Sequence, residues 1–346
     1  MARVRPHYFH AEADALTGKL NLPFEEQIKK QAYVKLEGDS QKLLLEGDEL
    51  KAVKEKKPQD NYLSQHAKNY RLEGIISYTA AHTQVSGHRS KKNPDAFVTL
   101  ATSSVENLNV LNVVTADKVV AQISTTHFPD DYSPQVTFLG THFENLRIAR
   151  HQTEPILNLG FAGDRPKGKD AYYPTRGTPL MASVEKQYQR LRDSFGRIKP
   201  QLDPEYLRRL EDKESWLSKQ YHGFSDFNYK DLQNSARDAA DRSAKAANGN
   251  GGKWDGVTCS LVEHVEIEDI EIERKAGNPI VIPPPARCIG HVIHVPDFGT
   301  IFLAELKVNH NSFHLTMIRL ELGCIADGST SLVTCSVNGG HKPGGP

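Results

Sequence analysis

The sequence predicts a mainly β fold, an antiparallel β-sandwich or partly closed barrel with a helical insertion. Three observations favour this class. Apolar residues alternate with polar ones over much of residues 1–159 and 253–338, which is the period of a half-buried strand. One segment of the first half is repeated within the chain. The apolar period changes to that of a helix at about residue 182.

An internal repeat marks the strands of the first half. The 13 residues of Val98–Val110 align without a gap with Val136–Ile148, and five of the aligned positions are identical. Residues 260–267 carry a weaker echo of the same pattern. A repeat of this kind indicates a supersecondary unit that is used more than once, so that each copy buries a face against its neighbour.

Glu106 and Glu144 occupy equivalent positions of the repeat and are the candidate catalytic residues. Strict pleating would place Glu106 on the same face as Leu108 and would bury its carboxylate. A β-bulge at Asn107 and Asn145 would instead shift the face, because asparagine tolerates the left-handed conformation. The alternative is acid–base chemistry, which requires that both carboxylates reach one cleft. We favour the structural role.

The helical insertion is predicted over residues 160–252. An apolar stripe at helical spacing runs from Val184 to Phe195. Residues 203–205 then have the pattern of an N-cap, a first-turn proline and an acidic first turn. Residues 226–252 are rich in alanine and charge and end in a Gly/Asn-rich linker, so a mobile excursion is expected there.

One continuous core is expected from the strands on both sides of this insertion. Residues 1–159 form a β-rich half that contains the repeat. Residues 253–338 supply the strands that complete the core, and they end in a meander. Residues 339–346 form a flexible, Gly/Pro-rich tail.

Histidines are the candidate metal ligands. The chain contains 15 histidines, of which His291, His310 and His314 lie in the last strands with Glu305 as a further candidate ligand. Imidazole and carboxylate groups are usual ligands of zinc. A turn at residues 309–312 would nevertheless separate His310 from His314. No cofactor is therefore predicted, and a divalent metal ion is the alternative.

The four cysteines show no spacing typical of a metal site. They lie in apolar or alternating segments, where we expect buried free thiols. A disulfide between Cys324 and Cys335 across a hairpin is the alternative in an oxidising compartment.

The charge balance argues against a polyanionic partner. The 43 Lys and Arg residues match the 43 Asp and Glu residues, so no net field attracts nucleic acid or an acidic membrane surface. No apolar run reaches the length of a membrane span, and no signal peptide is recognised. A cytoplasmic protein is expected, although export without a cleaved signal would leave the same sequence.

Several phrases of the chain resemble a family of uncharacterised bacterial proteins with β-repeat segments. The resemblance implies a repeated β architecture in a bacterial protein, and it brings no assigned activity. The phrases that carry it are Glu106–Asp117, Val119–Thr125, Phe143–Ile148, Gly290–Pro296 and Phe313–Met317.

The sequence thus favours a non-enzymatic binding or self-assembly module. β-Repeats with unpaired edges associate readily, so the expected partner is a second copy in a homo-oligomer, or another protein. The alternative is a metal-dependent hydrolase whose pocket lies between the β core and the helical hairpin. That enzyme would use Glu106, Glu144 or the late histidines.

Overall fold

The described part of the chain leaves several gaps. The expected excursion at 226–252 lies outside the described residues, as does Cys324. In the computed structural model the described residues are 7–39, 61–93, 95–128, 131–167, 172–175, 177–202, 204–212, 215–217, 256–268, 270–272, 280–282, 287–323, 326–338 and 340–341.

Twenty-one β-strands and two α-helices lie in these segments. The helices are α1 (Pro179–Ile198) and α2 (Pro204–Glu211). The strands are β1 (His7–Leu22), β2 (Glu26–Gln31), β3 (Val34–Asp39), β4 (Asn61–Leu72), β5 (Ile76–Arg89), β6 (Phe97–Val110), β7 (Val114–His127), β8 (Gln135–Thr137), β9 (His142–Glu144), β10 (Arg147–Ile148), β11 (His151–Leu157), β12 (Val257–Ser260), β13 (Val262–Ile267), β14 (Ile270–Ile272), β15 (Ile280–Ile282), β16 (Arg287–Ile289), β17 (Val292–Val295), β18 (Gly299–Asn309), β19 (Ser312–Leu322), β20 (Asp327–Asn338) and β21 (Gly340–His341).

Two large antiparallel sheets form a sandwich, which confirms the predicted fold class. Sheet A has ten strands in the order β16-β17-β18-β19-β20-β1-β2, with β12 added on β18 and with β3 and β21 added on β1. Sheet B has nine strands in the order β13-β11-β10-β7-β6-β5-β4, with β8 and β9 added on β7. Strands β14 and β15 pair separately. The predicted helical insertion is represented by α1 and α2.

The core lies between the two sheets and takes residues from both ends of the chain. Hydrogen bonds cross it at points where small side chains let the sheets approach. The Ser103 hydroxyl donates to the Asp14 carbonyl at 2.9 Å, and the Cys335 thiol donates to the Ala121 carbonyl at 3.4 Å. Because each bond ties one sheet to the other, the packing is fixed by polar contacts as well as by apolar burial.

Helix α1 begins at a capped turn and rests on the edge of sheet A. The Thr178 hydroxyl accepts a hydrogen bond from the Met181 amide at 3.3 Å, and a proline occupies the first turn. Leu191 of α1 packs with Ile289 of β16 in a second, smaller apolar cluster. No helix in the described segments is long and apolar enough to cross a membrane.

A row of left-handed residues crosses sheet B. Asn69, Asn107 and Asn145 have φ values of 55°, 51° and 49°, and their numbers differ by 38. The intervening strands place Thr79 and Asp117 in the same row. The Asn107 amide donates to the Thr79 hydroxyl at 2.8 Å, and the Asn145 amide donates to the Asp117 carboxylate at 2.6 Å. Side chains therefore connect the row across the sheet.

This row inverts the pleat of the strands. Val105 and Leu108 are both buried although they are three residues apart, and Glu106 between them is exposed. We expected a bulge here, but the pairing register is the same on both sides of Asn107, with Glu106 opposite Lys118 and Leu108 opposite Ala116. The difference arises because both paired strands carry one extra residue in the same row, so neither strand slips.

Sheet A contains a comparable row without asparagine. Ala32, Val333 and Ala304 have φ values of 45°, 56° and 46°. The strand registers place these three residues on one line that passes through Ala15 and Met317. A left-handed valine is unfavourable in isolation, so the surrounding strand pairs must hold Val333 in place.

The hairpin turns of sheet B also recur at the 38-residue spacing. Residues 73–74, 111–112 and 149–150 all have positive φ, as type I′ turns require. The amide of Leu111 donates to the carbonyl of Ile75 at 2.8 Å, and the amide of Ala149 donates to the carbonyl of Val113 at 2.8 Å. Each turn is thus hydrogen-bonded to the turn before it.

Replacing Asn107 by valine should destabilise the protein more than replacing it by glycine. Both changes remove the hydrogen bond to Thr79, but only valine is strained at a positive φ, so we expect a difference of about 1–2 kcal/mol in the free energy of unfolding. Urea denaturation measures this difference. As a control, the same two changes at Thr102, an extended position of β6, should give the opposite order. Equal stabilities of the two Asn107 variants would contradict the strained row.

Candidate functional site

A row of polar side chains lies on the outer face of sheet A, where most sheets expose such groups to solvent. Strand pairing aligns Glu305, Thr316, Thr334 and Asp14 in this row. All four residues are buried, with Glu305 only 2% and Asp14 only 4% exposed. Burial of two carboxylates in one row makes this the first place to look for chemistry.

Arg319 binds the carboxylate of Glu305 through two nitrogens. The Nη2 and Nε atoms of Arg319 donate to Glu305 Oε2 at 2.8 and 3.2 Å, and the guanidinium lies 3.5 Å from the ring centre of Phe302. Burial by itself raises the pKa of Glu305, but the charge and hydrogen bonds of Arg319, together with Lys307, hold it below its usual value. Glu305 is therefore ionised and already engaged.

His291 is buried beside this ion pair. Its side chain is 1% exposed, and neither ring nitrogen has a hydrogen-bond partner within the described segments. Burial lowers the pKa of His291 to about 4, with Glu305 opposing and Arg319 reinforcing the shift. The imidazole is thus neutral near pH 7.

The other two predicted metal ligands do not complete a metal site. His314 lies opposite Lys307 on the neighbouring strand, and burial is the main reason that its pKa falls to about 4. His310 lies in the turn after β18, where its Nδ1 is 2.7 Å from Asn309 Oδ1. Among the described residues, no group of three or more His, Cys, Asp or Glu side chains could hold a metal ion. The described cysteines, Cys259, Cys288 and Cys335, are free thiols.

Glu106 and Glu144 lie on the open outer face of sheet B. Both pair with Lys118, from opposite sides, so they are two strands apart, or about 10 Å. The Lys118 ammonium is 3.6 Å from Glu106, and His142 Nε2 is 3.0 Å from Glu144. Both carboxylates are about half exposed. They therefore share a surface but not a cleft.

A shallow depression of about 160 Å³ lies beside Glu106 on the same face. Its other polar lining comes from His66, Lys68, His82 and Ser104. Sequence reasoning did not select either histidine. The available signal was the spacing of the left-handed row, because His66 precedes Asn69 by three residues just as His142 precedes Asn145.

Comparisons with known proteins give one match. A family model described as a domain of unknown function, DUF8256, matches residues 58–309. No curated protein and no solved structure matches the chain.

Replacing Glu305 by glutamine should destabilise the fold by about 3 kcal/mol, because it leaves the buried Arg319 charge without its main partner. Glu321 is the matched control, since its carboxylate contacts the same guanidinium at 2.5 Å but is 47% exposed. Glu321→Gln should change the unfolding free energy by less than about 1 kcal/mol. The double variant Glu305→Gln/Arg319→Met should recover more than half of the loss. Urea denaturation distinguishes these outcomes, and equal losses at 305 and 321 would contradict the assignment.

Asp14→Asn should stabilise the protein at pH 8 by about 2 kcal/mol. Burial raises the pKa of Asp14 from 3.8 to about 6, although Lys30 opposes the shift and Glu12 adds to it, and Oδ1 has no described donor. The stability that this carboxyl contributes is complete below pH 3.8 and is lost as the pH rises through 6. The gain in the variant should therefore vanish near pH 4.

Glu12 on the same strand provides the opposite control. A hydrogen bond with His10 is the main cause that lowers the pKa of Glu12 to about 2; burial opposes it, and Lys30 and Lys35 also lower it. Its contribution is present above pH 4.5 and is lost as the pH falls through 2. Glu12→Gln should thus destabilise the protein at pH 8. Denaturant unfolding across pH 4 to 8 tests both, and a pH-independent gain from Asp14→Asn would contradict the shift.

Proposed function

The chain belongs to the DUF8256 family, whose description assigns no activity, and from its geometry we propose a non-enzymatic module that self-associates. The proposed contact is the open edge of sheet B, with a second copy of this chain as the partner. The observation that carries the proposal is strand β4. This strand is 12 residues long and pairs with β5 on one side, while no described strand pairs with its other side.

The exposed side chains of β4 support this interpretation. Tyr62 is 49% and Leu63 is 45% exposed, and neighbouring residues of a strand point to opposite faces. An incoming strand would therefore cover apolar surface on both faces of the sheet. It would also satisfy the free amides and carbonyls of the edge, which makes a long unprotected edge a template for pairing.

The opposite end of the sandwich is covered by helix α1. Gln187 Nε2 donates to the carbonyls of Ser260 and Val262 at 2.8 and 3.2 Å, at the start of edge strand β13. Arg190 donates to the carbonyl of Glu263 at 3.2 Å. Proteins that avoid edge pairing cover or charge their edges in this way. The contrast with β4 favours β4 as the contact.

A second copy fits this edge on grounds of charge. If two β4 strands pair in antiparallel fashion about Gln65, Tyr62 lies opposite Lys68 and Leu63 lies opposite Ala67, so no like charges meet. Such a contact is self-complementary, as a twofold dimer requires. The net charge of zero also leaves no long-range repulsion between copies.

The alternative of a metal-dependent hydrolase has weaker support. Its candidate carboxylates, Glu106 and Glu144, lie on an open face that Lys118 divides. Its candidate histidines lie beside a carboxylate that Arg319 already binds. The proposal retains the homo-oligomer, the bacterial source implied by the resemblance and the cytoplasmic setting predicted from the sequence. It also takes the 38-residue spacing of turns and asparagines as the repeat unit of the family.

Leu63→Lys should weaken self-association at least about tenfold, because it places a charge on the pairing edge. Leu139→Lys is the matched control, since Leu139 is 66% exposed and lies between strands at the other end of sheet B. Light scattering across a concentration series measures the mass of each variant. The wild type and Leu139→Lys should both approach twice the chain mass of 38.6 kDa.

Two results would overturn the proposal. One is a wild-type protein that stays monomeric at every concentration, which would mean that the edge is covered within the chain or awaits a different protein. The other is a Leu63→Lys variant that associates as well as the control, which would place the contact elsewhere. Circular dichroism of each variant verifies that the fold is retained.

A further inference from the structure

Two histidines face each other across neighbouring strands on the outer face of sheet B. His66 of β4 and His82 of β5 are direct pairing partners, and their ring centres are 4.4 Å apart. The strands are paired without interruption on both sides of them, from Asn61–Gly87 to Lys68–Ala80. The backbone therefore holds the two rings together without any help from a ligand.

We propose that His66 and His82 together bind one divalent transition-metal ion at the surface of sheet B. Imidazole suits zinc, copper and nickel. Two nitrogens bound to one tetrahedral zinc ion lie about 3.3 Å apart, given Zn–N distances of about 2.0–2.1 Å. Rings whose centres are 4.4 Å apart reach this spacing by small side-chain rotations, so the pair is nearly preorganised for chelation.

The ring nitrogens of this pair are available for binding. No hydrogen bond from the described part of the chain engages His66 or His82. Burial, followed by the neighbouring His66, lowers the pKa of His82, so two protons on the pair are disfavoured. A metal ion requires the neutral imidazoles that this proximity already favours.

The surrounding depression can complete the coordination. Glu106 lines the same depression, and its contact with Lys118 is an exposed one at 3.6 Å, which is worth little. Its carboxylate can therefore turn towards the ion, while water fills the remaining positions. The site is open to solvent, unlike the His7–His127 pair, whose rings are 4.6 Å apart but fully enclosed in the core.

His142 distinguishes this site from ordinary surface histidines. It occupies the position equivalent to His66 in the 38-residue spacing and lies on the same face of sheet B. Its two nitrogens are already engaged, with Gly140 O at 2.7 Å from Nδ1 and Glu144 Oε1 at 3.0 Å from Nε2. Its cross-strand partner is Val120 instead of a second histidine. It is thus the matched control.

Isothermal titration of the untagged full chain with zinc chloride at pH 7.5 tests the proposal. The protein concentration is kept low enough for a single species in light scattering, so that self-association does not enter the result. We expect one zinc ion per chain in the wild type. His66→Gln and His82→Gln should each weaken binding at least about tenfold, while His142→Gln should leave it unchanged.

The proposal is overturned if the wild type binds no zinc, or if His66→Gln and His82→Gln bind as well as His142→Gln. Circular dichroism establishes that each variant is folded. If His82→Gln fails to fold, the exposed His66 decides the outcome alone. Glu106→Gln adds a graded test, because loss of an adjustable ligand should weaken binding less than loss of either histidine.

Discussion

The pleat of a β-strand sends successive side chains to opposite faces, and each sheet of this protein breaks that alternation along one line. Asn69, Asn107 and Asn145 define the line in sheet B, while Ala32, Val333 and Ala304 define it in sheet A. Because the extra residue occurs on every paired strand of the row, the hydrogen-bonded register continues through it. The strands can therefore run for 14 or 16 residues and still bury an apolar face at both ends.

This constraint also decides where the acidic residues of sheet B lie. Glu106 and Glu144 precede the left-handed asparagines, so the inversion keeps both on the exposed side while Val105 and Leu108 turn inward. Without the inversion, one of these sets would have to be misplaced. The exposed position of the glutamates thus follows from the backbone and needs no catalytic explanation.

Part of this could be predicted from the sequence. The conflict between alternation and Glu106 indicated a change of face, because the pattern is local and asparagine favours the left-handed conformation. The copy at Asn69 was missed, since it shares isolated positions such as His66 with the later copies. The row in sheet A gives no local signal. Alanine and valine do not favour a positive φ, and only pairing between distant strands imposes it.

The candidate sites show the same division. The sequence identified Glu305 and His291 but could not show that Arg319 on the next strand binds that carboxylate. Pairing of β18 with β19 brings the two together, and burial then makes their separation costly. The proximity of His66 and His82 likewise depends on the register of a hairpin. Residue types alone indicate which chemistry is available, whereas strand register decides which groups meet.

The hydrogen bonds between successive hairpin turns have a consequence for how the chain can change in length. The turn at 111–112 is bonded to the segment at residue 75, and the turn at 149–150 is bonded to residue 113, each at the same spacing. Removing or duplicating a stretch of 38 residues would leave every remaining turn with an equivalent neighbour. Tandem duplication and loss of whole hairpins would thus lengthen or shorten sheet B without disturbing its register.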